Sequence, residues 1–476
     1  MINLYIPYFK FDNEERNKEI LDTIVSNLKL NYIDKIYLLC ETQESLDFIK
    51  RYTNEKTVLI LQNQRITYDD VFQKSNENTN KDDINILINS DIILKKFDKI
   101  CIFFNRNNIF LCISRYEKDG ELIHIPSISQ DIWAWKGFNK IKNCNFNMGK
   151  LGCDTALAYM AKKSGYETLN PCKQLIALHN HTSNYRTYNT EDRMTIGHNT
   201  PPLSEICIVR PTYYDRSAML QLSLEYQKDA TNSENFETYV FVDPHPDYGI
   251  VSDYDKVITD EYNRINWPKN SGKYSWYDSV KYIFENTNYD YVLSVEDDVL
   301  ISKDYLRLCE QLLHDHALNK DDNILYFHIG AWEKPKGNPN KIVRSENSIR
   351  SCMINRYKFY KYVEPYYDSL KNKTISGLDI DLQNVLKINN MTTIAPESNR
   401  HAHVGIYGWS ANHIHGDSRG QSSLFEKPLT HEELYSLLQQ NCLSGEKLKE
   451  LNKNKNPDYF WDFDPNINFT KLEYVL

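Results

Sequence analysis

Apolar and polar residues follow two periods along this chain, and the periods take turns. Residues 2–6 form a short apolar run that predicts a buried strand. Residues 14–30 place Ile20, Leu21, Ile24 and Leu28 on one helical face. Residues 36–40 predict a second strand, 43–52 a second helix and 58–61 a third strand. Such alternation marks an α/β sheet. Residues 85–88 repeat the apolar theme and end in Asn89-Ser90-Asp91. Ligands bind at such strand ends in open α/β sheets. Residues 109–115 predict another strand, Gly152-Cys153-Asp154 opens a helix to about residue 164, and 175–181 read as a strand ending in His179 and His181.

A polar stretch over 190–204, with Pro201-Pro202, reads as a linker. The pattern then restarts with a strand over 205–209, a helix over 217–228 and a strand over 238–242. Residues 290–300 are an apolar, β-prone run interrupted by Glu296-Asp297-Asp298. Tyr305, Leu306, Leu308, Cys309, Leu312 and Leu313 follow at helical spacing. A strand over 324–327 precedes Gly330-Ala331-Trp332, and Asp379 and Asp381 precede a helical segment over 382–388. A glycine-, histidine- and aromatic-rich loop holds Arg400, His401, His403 and Trp409, and residues 431–451 read as helices. At 476 residues the chain exceeds one ordinary domain. Two domains are expected, 1–200 and 204–476, with acidic strand ends at similar offsets.

Three consecutive acids after an apolar strand are costly without a positive partner. The partner this pattern favours is a divalent cation, Mn2+ or Mg2+, carrying a nucleotide diphosphate. Asp298 is the expected direct ligand, with Glu296 and Asp297 toward ribose, base or metal-bound water. Asp91 is its weaker counterpart, although Ser90-Asp91 equally suits a cap. His181 or His179 could supply a late metal or phosphate contact, although a lone histidine there is more often structural. Asp131 beside Trp133 and Trp135 suits sugar stacking and hydroxyl binding, or else a buried indole pair. The net charge of −9 argues against a nucleic-acid partner. Ten cysteines without a C-x-x-C pair argue against zinc knuckles and redox motifs. Cys40, Cys101, Cys112 and Cys207, all in apolar runs, are expected to be buried thiols. No signal peptide and no apolar stretch of ~18 residues is seen, so a cytoplasmic location is expected.

Residues of about 270–412 resemble the N-acetylglucosaminyltransferase I family, inverting glycosyltransferases of GT-A fold. The resemblance rests on Lys273-Tyr274-Ser275-Trp276, Val295-Glu296-Asp297-Asp298, Gly330-Ala331-Trp332, Asp379, and Pro396-Glu397-Ser398-Asn399-Arg400 with Gly405, Gly408 and Ser410. It departs at Leu378 and Ile380, where the family has a tryptophan and an acid, and by one extra residue before Arg400. The first half is similar, more loosely, to bacterial and viral GT-A domains. Asn89-Ser90-Asp91 stands at their acidic motif, Asp154 at their acceptor base, and His179 or His181 at their late histidine.

The resemblance implies an α/β chain of two tandem GT-A, Rossmann-like domains. It implies transfer of a sugar from a UDP- or GDP-sugar donor to a glycan or glycoconjugate hydroxyl. Asp379 and Asp154 would be catalytic bases. Glu296, Asp297, Asn89 and Arg400 would hold the donor. Trp332, Asp131, Trp133 and Trp409 would meet the acceptor sugar, and Asp298, Asp91, His403 and His181 the metal. Two acidic strand ends suggest one linkage per domain. The competing readings are a carbohydrate-binding protein with relict transferase folds, catalysis by the second domain alone, and an acidic-site phosphotransferase.

Overall fold

The computed structural model describes residues 1–183, 193–214, 216–244, 250, 254–314, 323–328, 338, 340–345, 351–370, 378–397, 400–403, 432, 435–436 and 472–475, with side chains omitted at 273, 314, 378, 379 and 401–403. It divides into two compact units, Met1–Leu203 and Ser204–Leu476. Trp332, Trp409 and the segments 431 and 437–463 lie outside the described residues.

Unit 1 begins with β1 (Ile2–Tyr8), α1 (Glu14–Leu28), β2 (Lys35–Cys40), α2 (Gln43–Ile49), β3 (Thr57–Leu61), α3 (Tyr68–Asn78) and β4 (Ile84–Ile88). Polar residues start the helices. Asn13 accepts the Arg16 N–H at 2.8 Å, and Thr67 with Asp70 forms a reciprocal capping box. The unit continues with β5 (Ile92–Leu94), β6 (Ile109–Ile113), β7 (Ile132–Lys136), α4 (Cys153–Lys163), β8 (Glu167–Leu169) and β9 (Ala177–His179). Gly152 precedes α4 at φ 80°, and a Cβ there would come within 2.9 Å of the Met194 carbonyl. Glycine is therefore required where the Asp154 helix begins.

The main sheet has the order β3-β2-β1-β4-β7-β6-β8. β1 is parallel to β2 and β4, whereas β7 is antiparallel to β4 and β6. The chain leaves β1 on one side and returns on the other, so the carboxyl ends of β1 and β4 form a switch point. A two-stranded ribbon, β5 against β9, caps this end.

Unit 2 repeats the plan with β10 (Ile206–Tyr213), α5 (Ser217–Lys228), β11 (Thr238–Asp243), β12 (Asn263–Asn266), α6 (Ser275–Asn286) and β13 (Tyr291–Val295). There follow β14 (Val299–Ile301), α7 (Tyr305–His314), β15 (Ile324–His328), β16 (Lys341–Ser345), β17 (Ser351–Asn355), the helix Leu378–Asn389, β18 (Thr392–Pro396), β19 (His401–His403) and β20 (Glu473–Val475). The sheet order is β12-β11-β10-β13-β17-β15-β18-β16-β20. Its first seven strands match those of unit 1 in order and direction, with β17 antiparallel between β13 and β15 and β18 parallel to β15. The ribbon recurs as β14 against β19.

Several expectations need correction. The first helix ends at Leu28 and the second at Ile49, followed by a 3-10 turn over Lys50–Tyr52. Residues 132–136, rich in tryptophan, form a central strand. Cys101 is exposed, because its 3-10 turn directs Ile100, Ile102, Phe103 and Phe104 inward instead. Trp133 and Trp135 are fully buried. Trp133 meets Tyr68 edge-on, while Trp135 stacks on Phe110 and meets Phe72 edge-on. No indole face is left for a sugar; the residues serve the core.

Removing that aromatic contact should be costly. Trp135→Ala is expected to lower unfolding stability by about 3–5 kcal/mol, measured by urea denaturation of the full chain. A loss under about 1 kcal/mol would show that the aromatic cluster is not a stability centre.

Candidate functional site

Two strand ends carry the chemistry, and they are built alike. In unit 1, β4 ends at Ile88 and β5 begins at Ile92, leaving Asn89, Ser90 and Asp91 between them. In unit 2, β13 ends at Val295 and β14 begins at Val299, leaving Glu296, Asp297 and Asp298. Both triplets are tight turns closed by one backbone bond, Ile92 N–H to Asn89 at 3.1 Å and Val299 N–H to Glu296 at 3.2 Å. The ribbons then bring a late histidine position opposite. Ile92 pairs with His179 and Val299 pairs with His403.

In unit 1 the result is a connected polar network. Asp91, only 8% exposed, accepts Arg16 at 2.5 Å and lies 3.2 Å from His179 Nε2. His179 Nδ1 is 2.9 Å from Glu117. Arg115 bridges Glu117 at 3.0 Å and Asp131 at 2.5 Å. Asp131 in turn accepts the Asn89 amide at 2.7 Å. Burial alone would raise the Asp91 pKa, but His179 and Arg16 overcome it and hold the carboxyl well below its usual range. Burial would lower His179; its carboxylate neighbours Asp91 and Glu117 raise it.

One ligand atom from each of Asp91, His179 and His181 lies within 4.8 Å of the others. His181 Nδ1 stands 4.0 Å from Asp91, and its buried Nε2 has no hydrogen-bond partner. An orphaned imidazole nitrogen beside a carboxylate and a second imidazole fits a divalent ion. The mixed donor set suits Mn2+ better than Mg2+, which takes oxygen ligands.

Asp154 is the second residue of α4. Its carboxyl accepts the Gln130 N–H at 3.3 Å and the Cys153 thiol at 3.3 Å. Burial, then the charge of Asp131, pushes its pKa up to about 6. Asp131, expected at an acceptor sugar, is instead engaged by Arg115 and Asn89.

In unit 2, Arg216 lies between both acids, at 3.0 Å from Asp297 and in a direct ion pair with Asp298. Thr212 donates to Asp297 at 2.6 Å. Burial would lower the Arg216 pKa, but Asp297 and Asp298 raise it. The turn is fixed from beneath: Arg210 donates to the Glu296 carbonyl at 3.2 Å, and Ser223 donates to the Val299 carbonyl. Arg400, expected at the donor, is fully buried and bonds Asp304 at 2.9 Å just before α7. It ties down a helix start and has no surface for a diphosphate. For Asp379 and His403 the backbone alone is described, on the helix Leu378–Asn389 and on β19.

Sequence reasoning missed Arg16, Arg115, Glu117 and Arg216. The available signal was charge next to apolar periodicity, as in Ser114-Arg115-Tyr116-Glu117 after β6. It also missed Asp243 at the end of β11, whose Oδ2 is buried without a partner. Burial pushes its pKa up to about 6. A surface recess of about 520 Å³ lined by Asp290, Arg356, Tyr357 and Lys361 lies at the other, amino end of β13.

No protein-family profile matches the chain, and no curated protein matches it. Solved structures that match in part include S. aureus TarS 1–349, at 13% identity and a TM-score of 0.30, covering 43% of this chain and 61% of that one. An active-site mutant of LgtC matches at 14% identity and a TM-score of 0.26, covering 38% of this chain and 69% of that one. The chain thus spans about three fifths of the TarS chain it matches. Its own topology defines the class: an α/β chain with two parallel-rich sheets. No described helix is long and apolar enough to cross a membrane.

The raised carboxyls fix the sign of a pH effect. Asp154 titrates at about 6 when folded against an ordinary 3.8. Between those values the folded chain binds more protons, so this contribution to stability is full below pH 3.8 and falls as pH rises to about 6. Asp154→Asn should therefore flatten the decline between pH 4 and pH 7, by roughly 3 kcal/mol at most, in urea unfolding. An unchanged pH slope would remove the assignment.

Proposed function

We propose that the chain is a metal-dependent glycosyltransferase of GT-A type with two tandem transferase domains, 1–200 and 204–476. Each would take a nucleotide-sugar donor, UDP- or GDP-linked, and pass the sugar with inversion to a hydroxyl of a glycan or glycoconjugate. The observation that carries this reading is the repeated turn at the switch point. Asn89-Ser90-Asp91 and Glu296-Asp297-Asp298 hold the same three positions, and His179 and His403 stand opposite the next residue. A third correspondence supports it. Asp154 and Asp379 are each the second residue of the helix that precedes an equivalent strand, β8 or β18.

In unit 1, Asp91, His179 and His181 would hold Mn2+; in unit 2, Asp298 and His403 would. When bound, the ion neutralises charge that builds on the departing diphosphate. The remaining work falls to the chain. Asn89 and Glu296, the first residues of the two turns, would hold the donor, with Asp297 beside Glu296. Asp154 would take the acceptor hydroxyl proton as that oxygen attacks the anomeric carbon; a pKa of about 6 leaves it largely ionised at neutral pH. Asp379 is assigned the same role in unit 2. Trp332 and Trp409 remain candidates for acceptor contact.

The test is nucleoside diphosphate release from a panel of nucleotide sugars with Mn2+. Asp91→Asn and Asp298→Asn should each abolish turnover of a different donor. Asp154→Asn and Asp379→Asn should each cost about 10²–10⁴-fold at one domain. If Asp298→Asn alone is inactive, unit 1 is a scaffold or acceptor reader. Sugar binding without metal, and no nucleotide-sugar binding at all, would replace this reading with a carbohydrate-binding protein.

A further inference from the structure

Four buried polar residues run along α1: Arg16, Glu19, Thr23 and Asn27. Their spacing puts them on one helical face, and all four reach the candidate metal cluster or its supports. Arg16 meets Asp91 at 2.5 Å. Asn27 clamps β5 after the acidic turn, donating to the Ile92 carbonyl at 2.8 Å and accepting the Leu94 N–H at 3.0 Å. Asn180, between the two histidines, donates to the Glu19 carbonyl at 2.9 Å and to Thr23 Oγ1 at 3.2 Å.

Glu19 makes the densest contacts. Its Oε1 accepts the backbone N–H groups of Thr182 and Ser183, at 2.6 and 2.7 Å, and the Thr182 hydroxyl at 2.6 Å. Its Oε2 accepts the Ser183 hydroxyl at 2.9 Å and Arg16 at 3.0 Å. His181 lies between these anchors, with Asn180 tied on one side and Thr182-Ser183 on the other. The ring meets His179 edge-on at 5.3 Å, but among the described residues no hydrogen bond orients it, since Nε2 has no partner and Nδ1 stands 4.0 Å from Asp91. The backbone on either side must therefore supply its placement. Before the histidine that backbone is held by the Asp91 carbonyl, which accepts the Asn180 N–H at 2.8 Å, and after it by the Glu19 carboxylate.

We propose that Glu19 is a positioning residue that keeps His181 within reach of an ion shared with Asp91 and His179. The proposal rests on the metal reading of unit 1 given above. Supports of this kind set ligand orientation, and their loss typically weakens metal affinity 10- to 100-fold. A glutamine at this position places an amide N–H among donors, so the five contacts cannot all re-form.

The experiment uses the full chain and Mn2+ alone, with calorimetry for affinity and pulsed EPR for imidazole nitrogen coupling to the ion. Asp91→Asn identifies the unit 1 site by the binding it removes. At that site Glu19→Gln should bind Mn2+ roughly 10- to 100-fold more weakly, with diminished nitrogen coupling. Thr182→Val, which loses the hydroxyl and keeps the N–H, should shift both in the same direction by less. Wild-type affinity and coupling in both variants would overturn the proposal, even if their melting temperatures fall. Should Glu19→Gln fail to fold, Thr182→Val decides alone. If Asp91→Asn changes no Mn2+ binding, the metal reading of unit 1 fails, and this proposal with it.

Discussion

Asp91 and Asp298 each sit, nearly enclosed, at the carboxyl end of a buried parallel strand, where an isolated negative charge is costly. The surrounding structure answers that cost in both units with an arginine from the first helical region. Arg16 comes from the first turn of α1, and Arg216 immediately precedes α5. Unit 1 adds His179 and, behind it, the relay through Glu117 and Arg115 to Asp131. Removing one member would leave its neighbour as an uncompensated buried charge, which is why such networks are lost as a whole. The sheet supplies the positions, and charge balance selects what stands there.

The two units reach the same arrangement with different side chains. The ribbon after the acidic turn is secured in unit 1 by Asn27, which both donates and accepts. In unit 2 the corresponding carbonyl at Val299 takes the Ser223 hydroxyl. Asn89 corresponds in position to Glu296, and Ser90 to Asp297. What persists is the three-residue turn, the strand order and the cross-strand register. These follow from backbone hydrogen bonding and survive changes of side chain that erase sequence likeness.

The sequence disclosed most where periodicity was strong. The buried strand over 36–40, the half-buried edge strand over 58–61 and the acidic strand ends were legible as short apolar runs, and the helix over 217–228 by its helical spacing. The strand Ile132–Lys136 was obscured because its two tryptophans also suit a sugar site; only burial separates the two meanings. Cys101 misled for the reverse reason, since an apolar neighbourhood in sequence does not assign each side chain of a 3-10 turn to the inside. The polar stripe of α1 was invisible beside the apolar face of Ile20, Ile24 and Leu28. Buried polar residues become intelligible once their partners are known, and the partners outside the helix lie 65 to 164 residues away.

The chain separation between Asp91 and its neighbours has a consequence for synthesis. His179 follows Asp91 by 88 residues, whereas Arg16 precedes it by 75. At about 5–20 residues per second, the acid leaves the ribosome roughly 4–18 seconds before the imidazole does. For that interval the nascent turn has the arginine as its companion and lacks the strand that will close over it. The order in which the partners emerge thus sets the arginine before the carboxylate and the imidazole after it. It also makes the histidine ribbon the last part of the first site to be laid down.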